Sequence, residues 1–236
     1  MYYWNQQNFE GLKSIGDKYV SIQGYEAFGR YCLLKEKGLK KQAVAAVKEF
    51  VASAKEKSIE SQRKIVSEIA SLGFWNDEVH QLIAHPLKVY LQEVLSSWAV
   101  EEKTDATPHR WLGYISGDLS AYENALAIDP EDEICITRLA QAHLKDVDYQ
   151  THHLSESLLI GELSDAKHSL REAEILIESL KTDKIKSSMQ KELAYFNRML
   201  DSWEEYSNLE AKVSFPEWCA IKGEKFNFWS IVYYKK

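Results

Sequence analysis

At 236 residues the chain is long enough to bury a substantial core, and 45% hydrophobic against 28% charged residues excludes a disordered polypeptide. A formal net charge of −7 excludes a general nucleic-acid binder, since neutralising phosphates needs a basic face and no run of Lys and Arg supplies one. With four prolines and ten glycines, turn punctuation is sparse, which favours long helices over many short strands.

In chain order, nearly everything up to about Leu209 reads as helix. YEAFGRYCLLKEK, Tyr25 to Lys37, ends at Gly38, a left-handed cap. In LKKQAVAAVKEFVASAKEK, Ala43, Val47, Phe50, Val51 and Ala54 fall at three- and four-residue steps, one apolar face of a helix. Ser58 gives a start signal for SIESQRKIVSEIASLG, which Gly73 is expected to close. Asp77 opens DEVHQLIAHPLKVYLQEVLSSWAVEE, where Pro86 removes a helical hydrogen bond; a break is expected near His85, then a helix from Pro86 to about Val100. The polar run EEKTDATP, Glu101 to Pro108, reads as a linker, with Pro108 placed to start the next helix.

Three shorter helices follow, His109–Ser116, Asp118–Ile128 and Asp132–Lys145, continued by VDYQTHHLSESLLIGE (Val147 to Glu162) and by Leu163–Leu180. A long helix over Asp183–Leu209 carries Ile185, Met189, Leu193, Phe196, Leu200 and Trp203, the stripe of a packed seam. The tail, WCAIKGEKFNFWSIVYYKK, is aromatic and β-branched, and Lys222–Gly223–Glu224–Lys225 reads as the turn of a β-hairpin. A lone hairpin is marginal in water, so it is expected to cap the helices or receive a partner strand.

Cys32, Cys135 and Cys219 are scattered and form no CxxC pair, so neither a disulfide framework nor a cysteine metal site is expected, and a reducing compartment fits. MYYWNQQNFEGLK lacks a basic start followed by an apolar run, and no apolar stretch reaches the roughly 18 residues of a membrane span. The expectation is a cytoplasmic protein with no membrane or nucleic-acid partner. The aromatic ends, MYYWNQQNF and KFNFWSIVYY, need a surface to dock on: the helical body first, a second copy next.

Trp111 to Tyr149, WLGYISGDLSAYENALAIDPEDEICITRLAQAHLKDVDY, resembles a tetratricopeptide repeat in Tyr122, Ala125 and Leu126, then Asp129–Pro130, with Ile136, Leu139, Ala140 and Asp148–Tyr149 following on. A weaker echo has Gly161, Leu163, Ala166, Leu170 and Ala173. The match departs from the family pattern between Gly117 and Pro130, about one helical turn short, and at His152, where a small residue belongs. The resemblance covers roughly 110–181 and implies an all-α stack of antiparallel helix hairpins, a tetratricopeptide-like superhelix in which each pair buries its neighbour's apolar face. In that family ligands contact the first helix of each pair on its concave side, which by resemblance nominates Thr137, Gln141 and Lys145 as partner-binding residues. The chain thus divides into a helical region over 1–104, repeats over 105–182, and a long helix with the hairpin tail over 183–236, expected as one continuous unit.

One stretch invites chemistry. If Val147–Glu162 were helical, Asp148, His152 and Glu156 would stack on one face beside His153, as in a small metal or acid–base site. The order is not HExxH, and a further ligand would have to come from His80, His85 or His109. The plainer reading has Thr151 or Asp148 capping a helix and His152 hydrogen-bonded in a helix contact. There is no GxSxG, GxGxxG or GxxxxGK[ST] motif, so nucleophilic and nucleotide-dependent catalysis have no foothold in sequence. The leading expectation is a non-enzymatic, cofactor-free scaffold that binds another protein or peptide as adaptor, chaperone or inhibitor; the alternative is a metal-dependent or acid–base enzyme at Asp148, His152, His153 and Glu156.

Overall fold

A computed structural model describes residues 6–76, 79, 81–209 and 212–228. Eleven α-helices lie among them: α1 (Gln6–Tyr19), α2 (Glu26–Glu36), α3 (Lys40–Lys55), α4 (Ile59–Trp75), α5 (His85–Glu101), α6 (Thr107–Ser116), α7 (Leu119–Ile128), α8 (Glu133–Thr151), α9 (Leu163–Ser179), α10 (Asp183–Ser207) and α11 (Phe215–Lys222). The protein is all-α, with no strand among the described residues. It divides into two compact units, 1–130 and 131–236. The stretch that resembles a tetratricopeptide repeat spans this division, so α6 and α7 belong to the first unit and α8 and α9 to the second.

In the first unit, consecutive helices pair: α1 with α2, α2 with α3, α5 with α6, α6 with α7. Tyr19, Tyr25, Phe28 and Phe50 form a chain of rings with centroids 5.4–5.8 Å apart. Beside it, Glu68 of α4 accepts hydrogen bonds from the hydroxyls of Tyr19 (3.0 Å) and Tyr25 (2.5 Å), tying α1 and the start of α2 to α4. Burial, then the Glu68 hydrogen bond and charge, push the Tyr19 phenol up to about 12.

Pro86 lies in the first turn of α5, where a missing N–H costs nothing, so the expected break falls where the helix begins. Asp77, Glu78 and His80, from the predicted helix before it, lie outside the described residues. The Glu101–Pro108 run joins α5 to α6 inside the first unit. Gly73 does not end α4, which runs on to Trp75. A Cβ there would stand 3.0 Å from the Tyr114 hydroxyl, so this glycine serves a close approach.

The second unit is built on α8, α9 and α10. Asp132 caps α8 by accepting from the N–H groups of Ile134 (3.1 Å) and Cys135 (3.2 Å). Glu133 reaches the start of α10, accepting from the Thr182 hydroxyl (2.6 Å) and from the backbone N–H groups of Lys181 (2.6 Å) and Thr182 (2.7 Å), and these hydrogen bonds, the hydroxyl's first, hold its carboxyl below the usual range. Buried Ala166, Leu170, Ala173 and Ile177 give α9 a narrow apolar stripe, and α8 answers with Ala140, Leu144 and Val147.

The expected C-terminal β-hairpin does not form over the described residues. Phe215–Lys222 is a helix, started by a capping box in which Ser214 and Glu217 satisfy each other's N–H groups, with Pro216 in its first turn. Gly223 is its left-handed C-cap (φ 79°) and not the first residue of a two-residue turn. Residues 229–236, the rest of the supposed hairpin, lie outside the described residues, as do Met1–Asn5 of the other aromatic end. Phe215, Trp218 and Cys219 bury themselves with Leu154 and Met199, so the aromatic mass of the tail up to Phe228 docks on its own unit.

Candidate functional site

The histidine-rich stretch proves to be a helix end followed by a turn. Helix α8 stops at Thr151, whose hydroxyl donates back to the Val147 carbonyl (2.8 Å), and Leu154–Glu156 is a single 3-10 turn. The stacking expected of Asp148, His152 and Glu156 therefore does not form. His152 is the C-cap of α8, and its Nδ1 donates to the Tyr149 carbonyl; His153 Nδ1 donates to Glu156 Oε1 at 2.8 Å. Among the described residues no group of three or more His, Cys, Asp and Glu is placed to share a metal ion. His85 and His109 lie in the first unit, at the starts of α5 and α6.

What interrupts the helix is packing. Leu154 is fully buried in the cluster under α11. Ser157 adopts a left-handed conformation (φ 59°), and its hydroxyl accepts the Phe215 N–H at 2.8 Å. The loop is shaped to receive the start of α11, a demand that lies in residues about sixty positions on and is invisible in local periodicity.

Asp148 lines an open groove of about 700 Å³ between α8, α10 and the chain after α11, and with His152 it lines a narrower recess at the end of α8. The walls of the groove are Lys191, Glu192, Tyr195 and Phe196 of α10 and Asn227 and Phe228 of the C-terminal segment. That segment is held along α10: the Asn227 N–H donates to the Tyr195 hydroxyl at 3.0 Å, Phe226 meets the Tyr195 ring edge-on at 5.8 Å, and Arg198 lies 5.7 Å from the Phe226 ring centre. Glu192 keeps an exposed edge, yet partial desolvation at the groove wall, then the nearby Asp148 charge, raise its carboxyl pKa above the usual range.

Thr137, Gln141 and Lys145 precede Asp148 on α8 at steps of four, four and three, which at 100° per residue keeps all four within an arc of roughly 80°. Thr137 and Gln141 are half-buried, Lys145 and Asp148 exposed, and the Gln141 carbonyl accepts from Arg138 at 3.2 Å. Of these four only Asp148, singled out in sequence for the metal or acid–base alternative, lines the groove. Sequence patterning missed Glu192 and Tyr195, which sat inside a stripe read only for its buried members, and the Phe226–Phe228 wall, which was read as strand.

All three cysteines are buried and none is in a disulfide, and burial pushes the Cys32 thiol up to about 12 and the Cys219 thiol up to about 11, so neither of these two is poised as a nucleophile. Among the described residues no helix is long and apolar enough to cross a membrane. Comparison with protein-family models, with curated proteins and with solved structures finds no match to this chain.

Proposed function

We propose that the protein is a non-enzymatic helical scaffold of the tetratricopeptide-like kind, working in the cytoplasm, and that it holds an extended segment of a partner protein along α8 and in the α8–α10 groove. The observation that carries this reading is the continuity of one helix face: Thr137, Gln141, Lys145 and Asp148 form a polar row that leads directly into a hollow walled by Tyr195, Phe196 and Phe228. Aromatic walls supply affinity and the polar row supplies register. Asp148 and Glu192 face the same hollow and give the segment its chemistry, a Lys or Arg entering between them. Helices that pack as consecutive hairpins, and cysteines that form no disulfide, agree with such a scaffold in a reducing compartment.

The test is affinity capture from native extract by the full chain, by Gln141→Arg and by Tyr195→Ala, with circular dichroism as the folding control. A partner that binds this face is lost from both variants, by about tenfold or more for the truncated aromatic, while helicity is unchanged. Recovery of the same proteins at the same level by both variants removes the groove as the site.

A further inference from the structure

Away from the α8–α10 groove, a second hollow of about 470 Å³ lies wholly in the first unit, between α2, the start of α3 and the start of α5. Its size falls in the range of sites for small organic molecules, roughly 300–1,000 Å³. Aliphatic walls come from Ala43 and Val44 on one side and Ala84 and Pro86 on the other.

The two charged side chains that line it, Lys35 and Lys40, are both cations. Lys35 is half-buried, and its ammonium donates to the Tyr31 hydroxyl at 3.1 Å and to the Gln81 carbonyl, both neutral acceptors. The Tyr31 hydroxyl in turn donates to the Leu82 carbonyl at 2.7 Å, which fixes its oxygen as an acceptor for the lysine. The Lys35 ammonium also lies 5.4 Å from the centre of the Tyr31 ring, and burial lowers its pKa. Two helices also begin at this hollow. Helix α3 starts after Leu39 and α5 after Ala84, and neither start has a side chain capping its first N–H groups. An uncapped helix start carries partial positive charge, which favours an anion, while the Lys40 N–H already donates to the Gly38 carbonyl (2.9 Å) and Pro86 has no N–H to give. Lys40 and His85 stand on the same rim, and no Asp or Glu is among the described residues that line the hollow.

We propose that this hollow is a binding site for a small organic monocarboxylate, its carboxylate paired with the Lys35 ammonium and its apolar body against Ala43, Val44, Ala84 and Pro86. The carboxylate restores to Lys35 the stabilisation it loses on burial, and the Lys40 ammonium on the rim and the positive ends of α3 and α5 favour the same charge. The aliphatic walls select an apolar body behind the headgroup and make a poor home for a bare, strongly hydrated anion. This site is independent of the scaffold reading and survives if the groove proves empty.

The experiment is calorimetric titration of the full chain with four probes: octanoate, 1-octanol, octylammonium and inorganic phosphate. Octanoate is expected to bind saturably at one site, with 1-octanol and phosphate at least tenfold weaker and octylammonium giving no signal. Lys35→Met is expected to lower octanoate affinity at least tenfold and leave 1-octanol unchanged. Val44→Trp, which fills the hollow without touching the charge, is expected to abolish octanoate binding, so the site stays testable should Lys35→Met fold poorly. Octanoate no tighter than 1-octanol, phosphate equal to octanoate, or no octanoate binding at millimolar concentration each overturns the proposal, as does a folded Lys35→Met that binds octanoate like the parent.

Discussion

Glu192 shows how little of the site belongs to any one stretch of chain. It sits on α10 and Asp148 on α8, and only folding brings the second charge to bear on the first. Its folded-state pKa lies above the unfolded value, so the protonated form is the one the fold prefers. The stability this contributes is complete below the unfolded pKa and is lost as pH rises through the folded one. At pH 7 the ionised carboxylate is therefore a small burden, discounted by its exposed edge to a few tenths of a kcal/mol. Glu192→Gln should raise stability in urea at pH 7 by about that amount and give no gain near pH 3, where the parent carboxyl is already neutral. The same substitution should weaken partner capture, since it removes a charge that a bound cation would satisfy. A variant that is less stable at pH 7 would mean that Glu192 supports the fold instead.

At the level of elements, contact geometry decides what composition leaves open. Gly113, in the middle of α6, is buried against Tyr122 of α7, and a Cβ there would stand 2.7 Å from the Tyr122 ring. Alanine gains about 1 kcal/mol of helix propensity over glycine, while overpacking a tight contact costs roughly 1–3 kcal/mol. The clash is with a buried ring that cannot swing away, so Gly113→Ala should destabilise by about 1–2 kcal/mol in chemical denaturation, and a stabilised variant would show that the α6–α7 contact yields. The helices with strong three-four spacing, α3 and α10, were legible in sequence, because burying a stripe on one face is what sets that spacing. Gly73 was not, because a glycine that ends a helix and one that lets a neighbour approach look alike without the neighbour. Helix α11 was misread because its β-branched and aromatic content outweighed the start signal in SFPE, although Ser214 and Glu217 were there to be read as a capping box. The end of α8 at Thr151 was out of reach, since Leu154 and Ser157 answer to Phe215 and not to their own neighbours.

For the whole molecule, the division after Pro130 gives each part a core of its own. Phe50 is 1% exposed, with its ring 5.4 Å from Phe28 and 5.8 Å from Tyr25, all in the first unit. Phe215 is 0% exposed, with Trp203 at 5.2 Å and Tyr206 at 5.3 Å, all in the second. Truncating either ring to alanine should cost about 3–5 kcal/mol, a large share of what a domain of this size possesses. Local opening follows cooperative units, so the loss should register where the contacts are. Phe50→Ala is expected to accelerate amide exchange in the helices of the first unit and leave α8–α10 at parent rates; Phe215→Ala should do the reverse. Hydrogen exchange read by mass spectrometry distinguishes the two cases directly. Equal loss of protection on both sides of Pro130 from either substitution would make the chain one cooperative body instead of two units that open separately.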